Sequence, residues 1–503
     1  MKSIDEIFNM REDSRVEFKK AENGFPKSFW ETYSAFANTD GGIVVFGFDE
    51  KNNKVTGVAD PYRLRDELFN TVNNPGKVSA NVISNDSVKI DIYNGLNVLI
   101  VEIPEAHYSL KPVYLNANPR EAYERLGEGD RKLSDEKYKS LIVGSQKETD
   151  NYLLEKYDID DLNLDSLLKY RNELYLRTGN EKYKNIDFTD MLIEIGAMRR
   201  DRHGNGKYLL TVGGLLFFGK YNSITDRFTG FQLDYFEKES SLSTIWLDRV
   251  SSGDGEYSDI NVYEFFKIVL DKLNLTIKDE FSLEEGSKTR VPYKSDLLTS
   301  LREALVNSLM HAYYDSNKPI VITAYPDYYE FKNPGKMRIT VDEFVHGGTS
   351  DIRNHTMSSI MRRVGISEKA GSGGPRIFDI SEKYNLKIPE VMRNQYDTFL
   401  RIWKVDLKKF VEEKYDGDKR NIILYLIDNM FISKRDAQSE LCIDSYHFRV
   451  AINSLLEDKV VEFVGKGRST VYTLKMNTTE YAYSMKGLLR QTEDFMINNH
   501  KKS

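Results

Sequence analysis

The sequence is poor in the residues that build disulfide frameworks and zinc sites. It contains one cysteine, Cys442, and seven histidines in 503 residues. A single thiol allows no disulfide within the chain and no cysteine-based zinc site, which indicates a reducing environment. The scattered histidines show no metal-ligand spacing. Cys442 stands among apolar residues, so we expect it to fill part of a hydrophobic core.

Long apolar runs and an excess of positive charge are also missing. No uninterrupted apolar stretch approaches about 18 residues, so we predict no membrane span. The first residues, MKSIDEIFNMRED, are acidic and lack the apolar centre of a secretion signal, which favours a cytoplasmic protein. The net charge is −7. Attraction to nucleic acid would therefore have to come from local basic patches.

The length of the chain exceeds what a single hydrophobic core holds. Strand and helix patterns alternate without an internal repeat, which predicts an α+β multidomain protein. We divide the chain into a first domain at 1–145, a helical connector at 146–204, a second domain at 205–402, a segment of short helices and a hairpin at 415–475, and a tail at 476–503.

Two local patterns make specific structural predictions. After Pro26, the residues Phe29, Tyr33 and Phe36 recur at helical spacing and predict a buried helical stripe. Asp40-Gly41-Gly42 ends that helix, and IVVFGF follows as a buried strand. Further along, DFTDMLIEIGAMRRDRHGNGKYLLTVGGLLFFGK predicts a helix, a tight turn at His203–Gly206 and then an apolar strand through LLTVGGLLFFGK.

Acidic side chains flank the first predicted strand and the strand after the Gly-Gly turn. They are Glu12, Glu17, Asp49 and Glu50. Glu12 and Glu17 would point to opposite faces of one strand, so they converge only if Glu12 lies in the turn before it. Three carboxylates suit Mg²⁺ or Mn²⁺, which could activate water against a phosphodiester. Lys19 and Lys20 could hold the phosphate. Ordinary solvated acids are the alternative.

The stretches EDSRVEFKKA, SAFANTDGGIVVFGFDE and VTGV, followed by KPVY and YERLGEG, closely resemble the Schlafen-type (AlbA-like) domain over residues 8–135. In Schlafen proteins that cleave RNA, three acids form the active site. The resemblance places them at Glu12, Glu17 and Glu50, with an aspartate more familiar at the third position. It implies a metal-dependent endonuclease with a preference for RNA.

Other residues around those acids are candidates for supporting roles. Asp49 is a neighbouring carboxylate, and Lys19 stands beside the active-site acids as a catalytic candidate. Lys20 and Arg125 are expected to contact nucleic acid. Bacterial members that resemble transcription regulators carry the same acids, so nucleic-acid binding without cleavage stays open.

A second candidate site begins on the predicted helix KSDLLTSLREALVNSLMHAYY. Glu303, Asn307 and His311 follow one another at four-residue spacing and share one helical face. A glutamate and an asparagine one turn apart can orient water and ligate Mg²⁺ on a nucleotide. The loop KAGSGG, before another helix, offers backbone N–H groups to a phosphate. Its candidate residues are Gly371, Ser372, Gly373 and Gly374. Each pattern alone is also typical of a solvated helix face or an ordinary glycine loop.

Taken in order, REALVNSLMHAYY, YYEFKNPGKM, HGGTSDIRNHTMSSIMRRVG and KAGSGG resemble a divergent GHKL-type ATPase module (gyrase, histidine kinase, MutL), an α/β sandwich, over about 205–395. The resemblance implies ATP with a divalent metal, for which Asn307 would be a ligand while Glu303 orients water, and it includes His311 on the same helical face. It places Asn333 and Gly335 at the adenine-reading loop and the glycine loop against the phosphates. The usual HRDY is HAYY here, and Asn333 replaces an aspartate, so ATP binding is better supported than hydrolysis.

The segment 415–475 predicts a winged helix-turn-helix, with three short helices followed by a hairpin. Asp444 and Ser445 can cap the third helix. Its outer face would present Arg449, with Tyr446, His447 and Asn453 beside it. Lys466 and Arg468 stand at the hairpin tip, where a wing meets phosphate. Winged helices also serve as protein–protein modules.

These features predict a nucleic-acid-acting protein that binds ATP and uses Mg²⁺ or Mn²⁺. In the first hypothesis, the Schlafen-type domain cleaves RNA or DNA under the control of the nucleotide, in a setting such as stress or phage defence. In the alternative, the chain is a non-catalytic, ATP-responsive, DNA-binding transcriptional regulator. We expect a homo-oligomer in both.

Overall fold

The computed structural model describes residues 15–21, 24–49, 52, 54–127, 129–145, 149–204, 206–240, 243–277, 293–367, 371–394, 396–404, 407–458, 460–464 and 470–475. The chain forms two compact units, Met1–Lys147 and Glu148–Ser503. Among the described residues, no helix has both the length and the apolar character that crossing a bilayer requires. The candidates Glu12, Glu50, Lys466 and Arg468 lie outside the described residues.

The first unit combines three helices with short sheets in its described part. The strands are β1 (Val16–Lys19), β2 (Gly42–Phe46), β3 (Phe48–Asp49), β4 (Lys54–Val55), β5 (Val88–Tyr93), β6 (Leu96–Ile103), β7 (Tyr114–Leu115), β8 (Asn118–Leu126) and β9 (Gly129–Lys132). The helices are α1 (Ser28–Asn38), α2 (Pro61–Val72) and α3 (Asp135–Gly144). The main sheet has the order β1-β2-β6-β5, with β1 parallel to β2.

Helix α1 packs on this sheet through the predicted stripe. Phe29, Tyr33 and Phe36 are all completely buried. Gly41 has a φ of +73°, and a Cβ there would lie 2.8 Å from the carbonyl oxygen of Ile103. The Gly-Gly turn therefore lets the chain reverse directly against β6, as the sequence predicted.

Asn38, the last residue of α1, joins the helix to the rest of the unit. Its side-chain nitrogen donates to the carbonyl oxygens of Val113 and Tyr123 at 2.8 and 2.9 Å, and its side-chain oxygen accepts the N–H of Val113 at 2.7 Å. This fully buried amide explains the asparagine in AFANTDGG. It holds the KPVY loop and β8 against α1.

The second unit is larger. Its strands are β10 (Leu153–Leu154), β11 (Met198–Arg200), β12 (Tyr208–Thr211), β13 (Leu233–Glu237), β14 (Asp248–Ser251), β15 (Ile320–Ala324), β16 (Tyr328–Pro334), β17 (Glu390–Arg393), β18 (Asp397–Trp403), β19 (Phe431–Ile432), β20 (Val461–Val464) and β21 (Val471–Leu474). Its helices are α4 (Leu164–Thr178), α5 (Lys182–Asn185), α6 (Phe188–Ile195), α7 (Val212–Phe218), α8 (Tyr221–Arg227), α9 (Val262–Thr276), α10 (Tyr293–Met310), α11 (Val341–His346), α12 (His355–Arg363), α13 (Gly373–Lys383), α14 (Leu407–Lys414), α15 (Gly417–Asn429), α16 (Lys434–Ser439) and α17 (Ser445–Glu457).

A six-stranded sheet of order β14-β13-β15-β16-β18-β17 organises the second unit. It is antiparallel except for the pair β13–β15. Tyr235, Ile322 and Phe331 lie on its buried face and share one hydrophobic core with residues of α9 and α10. The helices of the predicted connector join the same core, and the hydroxyl of Tyr170 donates to the carbonyl oxygen of Ile360 at 2.8 Å.

Two local predictions are wrong. LLTVGGLLFFGK does not continue as a strand, because β12 ends at Thr211 and residues Val212–Phe218 form α7. The hydroxyl of Thr211 accepts the N–H of Gly214 at 3.0 Å and caps this helix. Cys442 is exposed rather than a core residue. It lies in the turn between α16 and α17 with a φ of +56°, while its neighbour Ile443 is buried.

The C-terminal elements pack around a small core of their own, which includes Ile422, Phe448 and Leu455. Their strands have the order β19-β21-β20. The carboxylate of Asp444 accepts the N–H groups of Tyr446 and His447 at 2.8 and 3.0 Å, so it caps α17 as predicted.

We expect Asn38→Ala to loosen the attachment of β8 to α1. The substitution removes three buried hydrogen bonds and takes the Asn38 partner from the N–H of Val113, at a cost of about 2 kcal/mol. Hydrogen–deuterium exchange of the full chain should be roughly 30-fold faster in peptides covering 113–123. Asn73→Ala removes an exposed asparagine and serves as the control. Unchanged exchange in Asn38→Ala would contradict the assigned role.

Candidate functional site

A cleft in the second unit lies between α10 and the six-stranded sheet. It has two chambers that share Asn307 and His311 in their walls. The chambers contain about 610 and 430 Å³ of empty space. The first chamber has apolar walls formed by Ala304, Phe331, Phe344, Val391 and Leu400. The second is more polar and includes Glu303, Ser350, Ser358, Arg362, Ser367, Gly371 and Gly373.

The face of α10 that carries Glu303, Asn307 and His311 points into this cleft, as the spacing suggested. Glu303 is only 7 % exposed, and one of its oxygens lies 3.2 Å from Nη1 of Arg376. The Asn307 side-chain nitrogen is buried and has no hydrogen-bond partner among the described residues. A buried amide donor without a partner costs about 1–3 kcal/mol, so it is suited to a ligand.

The glycine loop reaches the same point from the opposite side. A Cβ at Gly373 would lie 3.0 Å from a carboxylate oxygen of Glu303 and 3.1 Å from the side-chain nitrogen of Asn307. At Gly374 a Cβ would clash with the carbonyl oxygen of Phe344. Only glycine allows the start of α13 to approach α10 and α11 this closely. Ser372 directly precedes α13.

The predicted base-reading loop lies at the end of β16. Asn333 is buried, lines the first chamber and donates to the carbonyl oxygen of Pro334 at 3.3 Å. The N–H of Gly335 donates to the carbonyl oxygen of Tyr396 at 2.6 Å, and its own carbonyl accepts the hydroxyl of Thr398 at 2.9 Å. These two bonds hold the loop, and Asn333 lines the chamber together with Lys336 and Arg338 from the residues that follow it.

Cationic side chains surround the imidazole of His311. Burial lowers its pKa to about 4, and the guanidinium groups of Arg353 and Arg338 shift the pKa in the same direction. Arg338 lies 3.3 Å from a carboxylate oxygen of Asp351. At neutral pH the imidazole is therefore uncharged. The first chamber is lined by Lys336, Arg338 and Arg353 against a single acid, Asp351, and this surplus of positive charge suits an anionic ligand.

In the first unit the predicted catalytic residues form an ion-pair network. The two carboxylate oxygens of Glu17 contact Nζ of Lys19 at 2.9 Å and Nη2 of Arg125 at 2.7 Å. Arg125 also contacts Asp130 at 2.9 Å, and the hydroxyl of Thr32 donates to Asp130 at 2.6 Å. The Arg125 side chain is 5 % exposed. Glu17 and Arg125 are thus brought together as partners.

Asp49 and Lys20 form a separate pair. Nζ of Lys20 lies 2.6 Å from a carboxylate oxygen of Asp49, and the amide of Asn52 donates to the same oxygen at 2.7 Å. The hydrogen bond from Lys20 holds the pKa of Asp49 below its usual value. No group of three metal-ligating side chains occurs within the described part of the chain. Glu12 and Glu50, which would complete the predicted set, are outside it.

Family comparisons match three regions of the chain. Residues 12–134 match the family "Schlafen, AlbA_2". Residues 317–402 match the family "Putative ATP-dependent DNA helicase recG C-terminal". Residues 139–234 match DUF8451, a domain family of unknown function.

A Schlafen AlbA_2 match is followed by a RecG-type C-terminal match. This order confirms the inferred Schlafen-type region followed by a helicase-related, ATPase-type region, and it relates the chain to nucleic-acid-associated proteins. The Schlafen match includes Glu17 and Asp49. The RecG-type match includes Asn333, Gly335 and the glycine loop, but begins after α10.

Solved structures and curated proteins were also compared. The N-terminal domain of a RecG-related protein of Nitrosomonas europaea is 28 % identical over 27 % of this chain and 95 % of its own, with a TM-score of 0.21. The DIP2311 protein of Corynebacterium diphtheriae is 14 % identical over 94 % of this chain and 98 % of its own, with a TM-score of 0.38. Neither TM-score is high enough to support an argument. No curated protein matches the chain.

Sequence reasoning missed the residues that fix the floor of the cleft. Arg353 donates to the carbonyl oxygens of His311 and Lys336, both at 3.0 Å. The side-chain nitrogen of Asn354 donates to the carbonyl oxygens of Met310 and Ala312 at 3.0 and 2.8 Å. These residues lie in the run SDIRN between α11 and α12, where Arg353 and Asn354 are both buried.

We expect His311 to remain neutral from about pH 8 to about pH 5. The unfolded chain takes up a proton near pH 6.5, whereas the folded chain does so only near 4. His311 therefore lowers the free energy of unfolding as the pH falls from about 6.5 to about 4. NMR of histidine-labelled protein measures this, with His311→Gln assigning the signal. His447, whose pKa is raised by its hydrogen bond with Asp444, is the titrating control. A His311 midpoint above about pH 6 would count against the assigned environment.

Proposed function

We propose that the chain binds ATP with a divalent metal in the cleft, and that the nucleotide controls how the Schlafen domain acts on nucleic acid. The main support is the side-chain nitrogen of Asn307. It is buried where the two chambers meet and has no hydrogen-bond partner among the described residues. An apolar chamber on one side suits a base, and a polar chamber lined by glycines on the other suits phosphates.

The residues of the cleft fit Mg²⁺-ATP as follows. Asn333 would face the base, and the N–H groups of residues 371–374 would face the phosphates. Asn307 and Glu303 would hold the metal, which when bound screens phosphate charge. Arg376 already contacts Glu303, and this pairing competes with a role in activating water. We therefore propose binding with slow hydrolysis or none.

Control of the first unit is supported by how the chain enters the second. The hydroxyl of Thr149 donates to the side-chain oxygen of Asn354 at 2.9 Å. The carboxylate of Asp150 accepts the N–H groups of Thr356 and Met357 at 3.0 and 2.8 Å. Arg353, which lines the cleft, immediately precedes these residues. A ligand that moves Arg353 would thus act on the segment that follows the boundary between the units.

We expect Asn307→Ala to weaken Mg²⁺-ATP binding by at least about tenfold, or 1.4 kcal/mol, because the amide supplies both a metal ligand and a buried polar contact. Calorimetric titration of the full chain with ATP, with and without Mg²⁺, measures the effect. The variant should also lose most of the dependence on Mg²⁺.

The matched control is Asn172→Ala, which removes an exposed asparagine from α4. Equal affinity of wild type and Asn307→Ala would remove Asn307 from the site. Binding that does not depend on Mg²⁺ in the wild type would remove the metal from it.

For the first unit, we propose a metal-dependent endonuclease acting on RNA in preference to DNA, with Glu12, Glu17 and Glu50 as the metal-binding acids. The alternative is an ATP-responsive, DNA-binding regulator without cleavage. The ion pairs of Glu17 favour this alternative, since a metal at Glu17 would have to compete with Lys19 and Arg125. Three helices with strands in the order β19-β21-β20 support a winged helix that presents Arg449 to DNA.

We expect Glu17→Gln to abolish any cleavage while leaving nucleic-acid affinity equal or higher, because the change removes a negative charge beside two cations. The assay offers tRNA, single-stranded RNA and duplex DNA with Mg²⁺ or Mn²⁺, with and without ATP. Glu102→Gln, on an exposed strand position, is the control. Cleavage that persists in Glu17→Gln contradicts the assignment, and a wild type that binds all substrates but cuts none establishes the regulator. Light scattering of the same samples tests the proposed homo-oligomer.

A further inference from the structure

The hairpin formed by β11 and β12 carries a concentration of positive charge. Between Met198 and Thr211 it contains four cations, which are Arg199, Arg200, Arg202 and Lys207, and one acid, Asp201. All four cations are exposed. The complete chain has a net charge of −7, so this hairpin is a local exception.

The single acid of the hairpin is used to build its turn. One carboxylate oxygen of Asp201 accepts the N–H groups of His203 and Gly204 at 3.1 and 2.9 Å. The N–H of Asp201 donates to the carbonyl oxygen of Lys207 at 2.8 Å, which extends the pairing of the strands. Because the carboxylate folds back onto the backbone, the outer surface of the turn presents mainly the cations.

The hairpin is anchored at its base and held along its length. Met198 lies opposite Leu210, and both are buried in the core of the second unit. Nε of Arg200 donates to the carbonyl oxygen of Gly206 at 3.0 Å. A fixed backbone of this kind lowers the entropy that the cations lose on binding a partner.

The arrangement of the sheet is that of a wing. The order β10-β12-β11, with α4, α5 and α6 between β10 and the hairpin, has the same pattern as β19-β21-β20 around α16 and α17. The preceding helix α6 offers no cation to a nucleic-acid groove, since it contains no lysine or arginine and carries the exposed acid Asp190. Contact through the hairpin alone is therefore expected.

We propose that the β11–β12 hairpin is a wing that binds the phosphate backbone of duplex nucleic acid without reading its sequence. Exposed arginines on a two-stranded ribbon are complementary in charge to the phosphates along a groove. Tyr208, opposite Arg200 and 48 % exposed, adds a hydroxyl beside the cations. This surface is distinct from the cleft and from the acids of the Schlafen domain.

The test measures binding of the full chain to duplexes of about 20 base pairs. Two unrelated DNA sequences and one RNA duplex are used, with EDTA and no ATP, between about 50 and 200 mM salt. The slope of log affinity against log salt is negative. In Arg199→Gln/Arg202→Gln its magnitude should decrease by about 2, equally for both DNA sequences. Arg202→Gln alone should lower it by about 1.

The matched control is Lys169→Gln/Lys332→Gln, which removes two exposed cations from elsewhere in the second unit and should leave the slope unchanged. An unchanged slope in the hairpin variant, an equal change in the control, or a wild type that binds no duplex would overturn the proposal. Affinity for Mg²⁺-ATP should be the same in wild type and hairpin variant. The outcome is therefore separate from that of Asn307→Ala and of the cleavage assay.

Discussion

The second unit depends on one buried carboxylate. Asp150 is completely buried, and its carboxylate accepts two N–H groups at the start of α12. Its own carbonyl oxygen accepts the N–H of Gly213 at 2.7 Å, so the same residue also fixes the start of α7. Burial raises the pKa of Asp150 to about 6, which measures how costly the charged form is there. The hydrogen bonds and the helix N-terminus offset part of this cost. The loop that bears Arg353 is positioned as a consequence.

The two candidate sites differ in how well their polar groups are satisfied. In the cleft, the side-chain nitrogen of Asn307 is buried without a partner in the described chain. In the first unit, both oxygens of Glu17 are engaged by cations, and Arg125 bridges Glu17 to Asp130. The cleft is therefore arranged to receive a ligand, whereas a metal at Glu17 requires the ion pairs to open. This contrast is why nucleotide binding has stronger physical support than cleavage.

Sequence patterns correctly predicted those elements whose apolar or polar residues recur at a single, clear spacing. The buried stripe of α1 and the line Glu303-Asn307-His311 both follow from helical spacing, and the Gly41-Gly42 turn follows from backbone geometry. Prediction failed where a run is apolar on every side, because Val212–Phe218 fits a buried helix as well as a buried strand. It also failed at Cys442, where a turn decided the exposure of the side chain.

By itself, the sequence determined which residue types were available: an acid-bearing first domain, a polar helical face, a glycine loop, and a basic hairpin in an acidic chain. Only the tertiary structure decided which of them meet. Gly373 approaches Glu303 and Asn307 because α13 and α10 pack together, although some 70 residues separate them in the chain. Arg125 on β8 is a partner of Glu17 on β1 although the two strands belong to different sheets. Such pairings arise from long-range packing, which spacing along a chain does not encode.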